Sequence, residues 1–89
     1  MSKIIVERPT EDRLKQLGIE NWGIWECEVS VFDWAYTSQE TCYFYEGHVI
    51  VETDEEKVEI NPGDLVVFPK DLKCKWNVNK PVRKAFKFG

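Results

Sequence analysis

Five side chains in the aromatic-rich middle of this chain have the types needed for chemistry: the phenol Tyr36, the carboxylate Glu40, the thiols Cys42 and Cys74, and the chain's one imidazole, His48. A carboxylate turned into an aromatic cavity has its ionised form disfavoured and can act as a general acid or base. The alternative for Glu40 is a hydrogen bond to Tyr36 or to a backbone amide, with no proton transferred. Cys74 can be read as a ligand or nucleophile, or as the small apolar core residue that an unactivated thiol often becomes. No imidazole is placed to activate it, because His48 falls in the phase opposite Val49 and Val51 and should face outward. Trp34, Tyr36, Phe68 and Trp76 are either an aromatic wall for stacking a planar or sugar-like ligand, or plain core. Lys73 and Lys75 alternate away from Cys74 and read as a solvated face, and Asp54-Glu55-Glu56 reads as a hairpin tip.

Short strands must position these groups. One segment reads as helix: Thr10 can cap Glu11 to Leu17, acids occupy the first turn, and Gly18 supplies the stop. The remainder is rich in Val, Ile and aromatics broken by turn residues. Expected strands are Ile4 to Glu7, Trp22 to Cys27, Val29 to Tyr36, Thr41 to Glu46, His48 to Thr53, Lys57 to Ile60, Leu65 to Phe68, Lys73 to Val78 and Arg83 to Phe88, with turns that include Gly47 and Asn79 to Pro81. Many short strands at near-regular spacing indicate a sandwich or small barrel. With period-2 alternation, Glu40 shares a face with Cys42, and Cys74 shares one with Trp76. Aligned inward around one barrel, Trp34, Tyr36, Glu40, Cys42, Phe68, Cys74 and Trp76 collect into a single cavity.

Two stretches carry a resemblance. Residues 34 to 47 place a Glu, Glu40, seven residues before Gly47, and residues 61 to 78 run Asn-Pro-Gly-Asp, then an apolar strand to Pro69, then Cys74 five residues on. In order and at this separation they resemble the two motifs of a cupin, with Trp34 and Tyr36 at the usual His-x-His positions and Cys74 where the last metal-ligand His would stand. The run Phe32-Asp33-Trp34, with Tyr36, Tyr43, Glu46, Val67, Phe68 and Trp76, is similar to small single-domain cupins related to ureidoglycine aminohydrolase and to the cupin of ethanolamine utilisation. The resemblance implies an all-β double-stranded β-helix, a jelly-roll barrel with one short N-terminal helix. It also implies a barrel interior that in many relatives holds Mn, Fe, Ni or Zn and acts on small polar metabolites, and a tendency to pair as homodimers. Glu40, Cys42 and Cys74 could hold Zn, since thiolate plus carboxylate is an accepted set. The missing imidazoles remove the donors that suit divalent transition metals, so no metal residue is assigned and no cofactor is expected to be bound tightly.

Bulk composition narrows the partners. Eighty-nine residues make one domain, residues 1–89, near the lower size for a self-sufficient core. Twelve basic against sixteen acidic residues give net charge −4, which lacks the basic field that nucleic-acid binding needs. No apolar run approaches the roughly 20 residues that cross a bilayer, and the N-terminus lacks a signal-peptide core. A cytoplasmic protein with free thiols is expected from three cysteines without Cys-x-x-Cys spacing. The exposed edge of the first strand argues for a homodimer. Two functions stand at this point. One is a barrel that binds a small polar metabolite; if it turns that small-molecule ligand over, the cupin resemblance implies metal-assisted C–N hydrolysis or isomerisation, with Glu40, Tyr36 and Cys74 catalytic and Trp34, Cys42, Phe68 and Trp76 holding the ligand. The other is a non-catalytic binding module or scaffold with a degenerate metal site.

Overall fold

The computed structural model describes residues 3–89. The chain forms seven strands, β1 (Ile5–Glu7), β2 (Gly23–Cys27), β3 (Ser30–Ala35), β4 (Glu40–Glu52), β5 (Lys57–Ile60), β6 (Leu65–Phe68) and β7 (Lys73–Phe88), with one helix, α1 (Glu11–Leu17), between β1 and β2. The helix begins and ends as its sequence dictates. Thr10 Oγ1 accepts a hydrogen bond from the Arg13 N–H at 3.2 Å, and the Gly18 N–H, at φ 68°, closes the last turn on Leu14 and Lys15. A single 3-10 turn, Ile19–Asn21, then leads into β2; no sequence signal marked it.

Every strand pairing is antiparallel, and β4 and β7 form the long central pair. Their register divides the sheet into two layers. The first halves, around Glu40 to Phe44 and Val82 to Phe88, join β1, β6 and β2. The other halves, around Val49 to Glu52 and Lys73 to Val78, join β5 and β3. The layers face one another: Trp76 of the second packs on Trp25 and Phe68 of the first, with ring centroids 5.7 Å apart in both contacts. The fold is thus all-β with one short helix.

Two expected turns are bends inside strands. The expected segments Thr41 to Glu46 and His48 to Thr53 are one strand, β4, and Lys73 to Val78 and Arg83 to Phe88 are one strand, β7. The register slips between Phe44 and Glu46 and again on either side of His48, opposite Lys80 and Arg83, so both strands bulge together and turn the corner without breaking. Gly47 has φ 106°, and a Cβ there would lie 2.6 Å from the Pro81 carbonyl oxygen. Only glycine fits this close approach, and Pro81 sits where a bulge tolerates the missing N–H. His48, expected on the surface, is half-buried at this corner: its Nε2 lies 2.7 Å from Glu59 Oε2, and its Nδ1 lies 3.1 Å from Asn79 Nδ2.

The Asn-Pro-Gly-Asp stretch is structural. The buried Asp64 carboxylate accepts from the Asn61 N–H at 2.8 Å and pairs with Arg8 Nε at 3.3 Å. The Gly63 N–H donates to the Phe44 carbonyl, and the Phe44 N–H donates to the Asp64 carbonyl. These bonds dock β6 against β4 and hold Phe68 opposite Glu40.

Candidate active cavity

A cavity of about 240 Å³ opens at one end of the barrel, walled by Trp25, Phe32, Trp34, Tyr36, Trp76, Phe86 and Phe88, with Glu40 and Lys84 on its lining. Strand register sets most of the wall: Trp25 stands opposite Lys84, Phe32 opposite Trp76, and Glu40 opposite both Phe68 and Phe88. Tyr36 lies just past β3. It is fixed by its N–H donating to the Leu72 carbonyl and its carbonyl accepting from the Asp71 N–H. At the mouth, Trp34 is 49% and Phe88 58% exposed.

Lys84 is the feature that strand assignment alone did not single out. It is 4% exposed, and Nζ donates to Glu40 Oε1 at 3.4 Å and to Cys42 Sγ at 3.3 Å. The same ammonium lies over the ring faces of Trp76 and Trp25, at 4.7 and 4.8 Å from their centroids, and 5.8 Å from those of Phe44 and Phe68. A signal for it exists in the sequence. Val82, Lys84, Phe86 and Phe88 occupy one phase of β7, so a lone charge stands in an apolar row and must be either wrong or paired.

The structure brings only part of the expected set together. Trp34, Tyr36, Glu40 and Trp76 line the cavity. Cys42 does not; it is fully buried beneath Lys84, because it stands opposite Phe86 and Val66 on β4. Phe68 backs the wall, stacked on Tyr36 with centroids 4.9 Å apart and planes 9° from parallel. Cys74 is also off the cavity: its thiol donates to the Trp34 carbonyl at 3.7 Å, across the β3–β7 ladder where Trp34 is its partner. The grouping of Cys42, Phe68 and Cys74 with the cavity wall fails because sharing a strand face does not fix which level of the interior a side chain reaches.

Protonation follows burial. Burial, then Glu40 and the two nearby thiols, raises the Tyr36 phenol far above its ordinary range, so it stays neutral. Burial pushes Cys42 up to about 12 even though Lys84 favours its thiolate, and pushes Cys74 up to about 11. Neither thiol is an activated nucleophile at neutral pH. The Tyr36 hydroxyl and the Trp76 indole N–H are buried without a hydrogen-bond partner. Trp76 lies close enough to favour the ionised forms of Tyr36 and Cys74, without reaching bonding geometry.

The metal that the cupin resemblance implies in many relatives does not fit these residues. Among the described residues no three His, Cys, Asp or Glu side chains converge. Glu40 and Cys42 are already bridged by the Lys84 ammonium, a cation that a metal would have to expel.

The sequence profile described as the EutQ-like cupin domain matches residues 14–86. The chain belongs to this family. The EutQ-like cupin is similar to a DUF861 family protein from Thermotoga maritima, with 50% identity and a TM-score of 0.96 over 98% of this chain and 100% of that one. It is similar to the EutQ protein of Clostridium difficile at 27% identity and a TM-score of 0.68, over 74% of this chain and 52% of that one. A putative ethanolamine utilization protein Q from Salmonella typhimurium shares the fold at 21% identity, with a TM-score of 0.67 over 74% of this chain and 54% of that one. The chain therefore spans about half the length of these two proteins. No curated protein matches it. Among the described residues no helix is long and apolar enough to cross a membrane.

Proposed function

We propose that this EutQ-like cupin binds a small molecule in the barrel cavity, its flat or ring-shaped body stacked among Trp25, Phe32, Trp34 and Trp76 and its polar end at Glu40 and Lys84. The observation that carries the reading is the buried ion pair at the base of an aromatic cavity. Taking two charges out of water costs several kcal/mol per ion, and a well-packed apolar replacement is often as stable or more so. The pair is thus poorly explained by stability and well explained by a polar group to be recognised. A cavity of about 240 Å³ lies below the roughly 300–1,000 Å³ of drug-sized sites, which restricts the ligand to about one ring with a short substituent. Self-association through the edge of β1, where Ile5 and Val6 are exposed, and a cytoplasmic location belong to the same reading.

The rival reading, metal-assisted C–N hydrolysis as in ureidoglycine aminohydrolase, needs a donor set that Glu40, Cys42 and Cys74 do not assemble. Nothing in the cavity favours it over binding. Tryptophan fluorescence tests the binding reading directly, because Trp25, Trp34 and Trp76 line the cavity. Titration with benzoate, benzyl alcohol and benzamide should give saturable quenching by at least one of them. That response should weaken at least tenfold in the Glu40→Gln/Lys84→Met double variant. Unsaturable quenching by all three, or an unchanged response in a folded double variant, would sink the reading.

A further inference from the structure

We infer that Lys84 captures small ring-bearing aldehydes or ketones as an imine, so that the cavity's ligand class is a carbonyl compound. The inference rests on the binding reading above and goes beyond it by giving Nζ a covalent role. Lysine amines are the protein groups that form Schiff bases with carbonyls, and those that do so are activated by desolvation or by a neighbouring base. Lys84 is buried, and the Glu40 carboxylate oxygen 3.4 Å from Nζ is placed to take its proton, while the rings around it keep bulk water out. The other lysines of the described chain, Lys75, Lys80 and Lys87 among them, are exposed. None of them lines this cavity.

The step balances with these two residues alone. The ammonium passes one proton to the Glu40 carboxylate, and the free amine attacks the carbonyl carbon, forming the C–N bond as the C=O π bond breaks; a proton then moves from the new N+–H to the alkoxide oxygen, giving the neutral carbinolamine. The carbinolamine hydroxyl then takes the proton back from Glu40 and leaves as water, giving the protonated imine. One ammonium and one carbonyl compound become one iminium and one water, with charge unchanged. The iminium still faces Glu40 and the Trp25 and Trp76 rings, so the buried carboxylate never loses its countercharge at the start or the end of the step. This conservation matters because an unpaired buried charge is the costly outcome. An aromatic aldehyde suits the walls, and the released water leaves past Trp34 and Phe88 at the open mouth.

The test treats the 89-residue chain with sub-stoichiometric benzaldehyde and sodium cyanoborohydride at neutral pH, followed by intact mass and peptide mapping. The expected result is a single benzyl adduct on Lys84 while Lys75, Lys80 and Lys87 stay unmodified. Lys84→Arg, which keeps the cation but cannot form an imine, should lose that adduct, and Glu40→Gln should slow its formation at least tenfold. Labelling scattered over the exposed lysines with Lys84 untouched overturns the inference, whatever the variants do. Fluorescence titration with benzyl alcohol, which has no carbonyl, separates the two failures: saturable binding without Lys84 labelling removes the covalent role and leaves the binding reading standing.

Discussion

Followed along β4, the antiparallel β4–β7 pair makes one kind of interior before its bend and another after it. After the bend, Val49 pairs with Val78 and Val51 with Trp76, and all four side chains are buried without a charge. Before it, Phe44 pairs with Lys84, Cys42 with Phe86 and Glu40 with Phe88, so the same ladder carries an ammonium and a carboxylate inward. The uncharged half gains from every Å² it hides, roughly 25 cal/mol per Å² of apolar surface. The polar half gives up part of that gain to desolvate two ions. One fold thus contains an internal comparison: the uncharged half gives the barrel its apolar packing and, through Trp76, one wall of the cavity, and the Lys84 half carries the buried charges.

Breaking the polar half at one partner should produce the largest effect. Lys84→Met leaves Glu40 buried and uncompensated, so unfolding free energy should fall by about 3–5 kcal/mol in denaturant titrations. Adding Glu40→Gln to it should recover most of that loss while still removing ligand-dependent quenching. A double variant as unstable as Lys84→Met would show that the pair holds the fold together, and the contrast between the halves would collapse.

The bend that separates the halves comes next. Gly47→Ala forces a side chain into φ 106° and against the Pro81 carbonyl, costing about 1–3 kcal/mol from the backbone alone and more from the contact. Its melting temperature should drop by roughly 4–8 °C per kcal/mol in a domain of this size. Gly18→Ala, also at positive φ but with only the Asn21 side chain near its Cβ, at 3.8 Å, should be milder.

In the uncharged half, away from Trp76, Ile60→Val removes one buried methylene and should cost about 0.5–1.5 kcal/mol, with fluorescence titration curves superimposable on the wild type. A shift in ligand affinity from this variant would mean that the halves are coupled.

At neutral pH the smallest effect is expected from the buried thiols. Burial lifts Cys42 from 9.0 to about 12 and Cys74 from 9.0 to about 11. A group whose folded pKa is raised contributes stability that is whole below its unfolded value and is lost as pH climbs towards the folded one. Stability should therefore be unaffected by these thiols at pH 7 and decline from about pH 9 towards 12. Cys42→Ala should flatten that alkaline decline. Iodoacetamide should leave Cys42 and Cys74 unmodified at neutral pH in the folded chain, and rapid alkylation of Cys42 there would contradict its burial.

The sequence by itself determined the class of fold and the local hardware. Thr10 and Gly18 bounded the helix because capping is settled within a few residues. Alternation and turn residues marked the strands because period and φ are local properties. Glu40, Gly47 and Pro62-Gly63-Asp64 pointed to the family because their spacing reflects how β4 bends and how β6 docks on it. Trp34, Tyr36, Glu40 and Trp76 were legible as inward residues for the same reason. Only the tertiary structure decided that Gly47 and Asn79 to Pro81 are bends, since a bulge continues a strand only when its partner bulges opposite. It alone decided that Cys42, Phe68 and Cys74 stand behind the cavity wall, because alternation gives a face and not a depth. It also decided what Lys84 does. A charge in the apolar phase of a strand is visible in the sequence, but Glu40 lies 44 residues away along the chain, and only the β4–β7 register brings that carboxylate within reach of the ammonium.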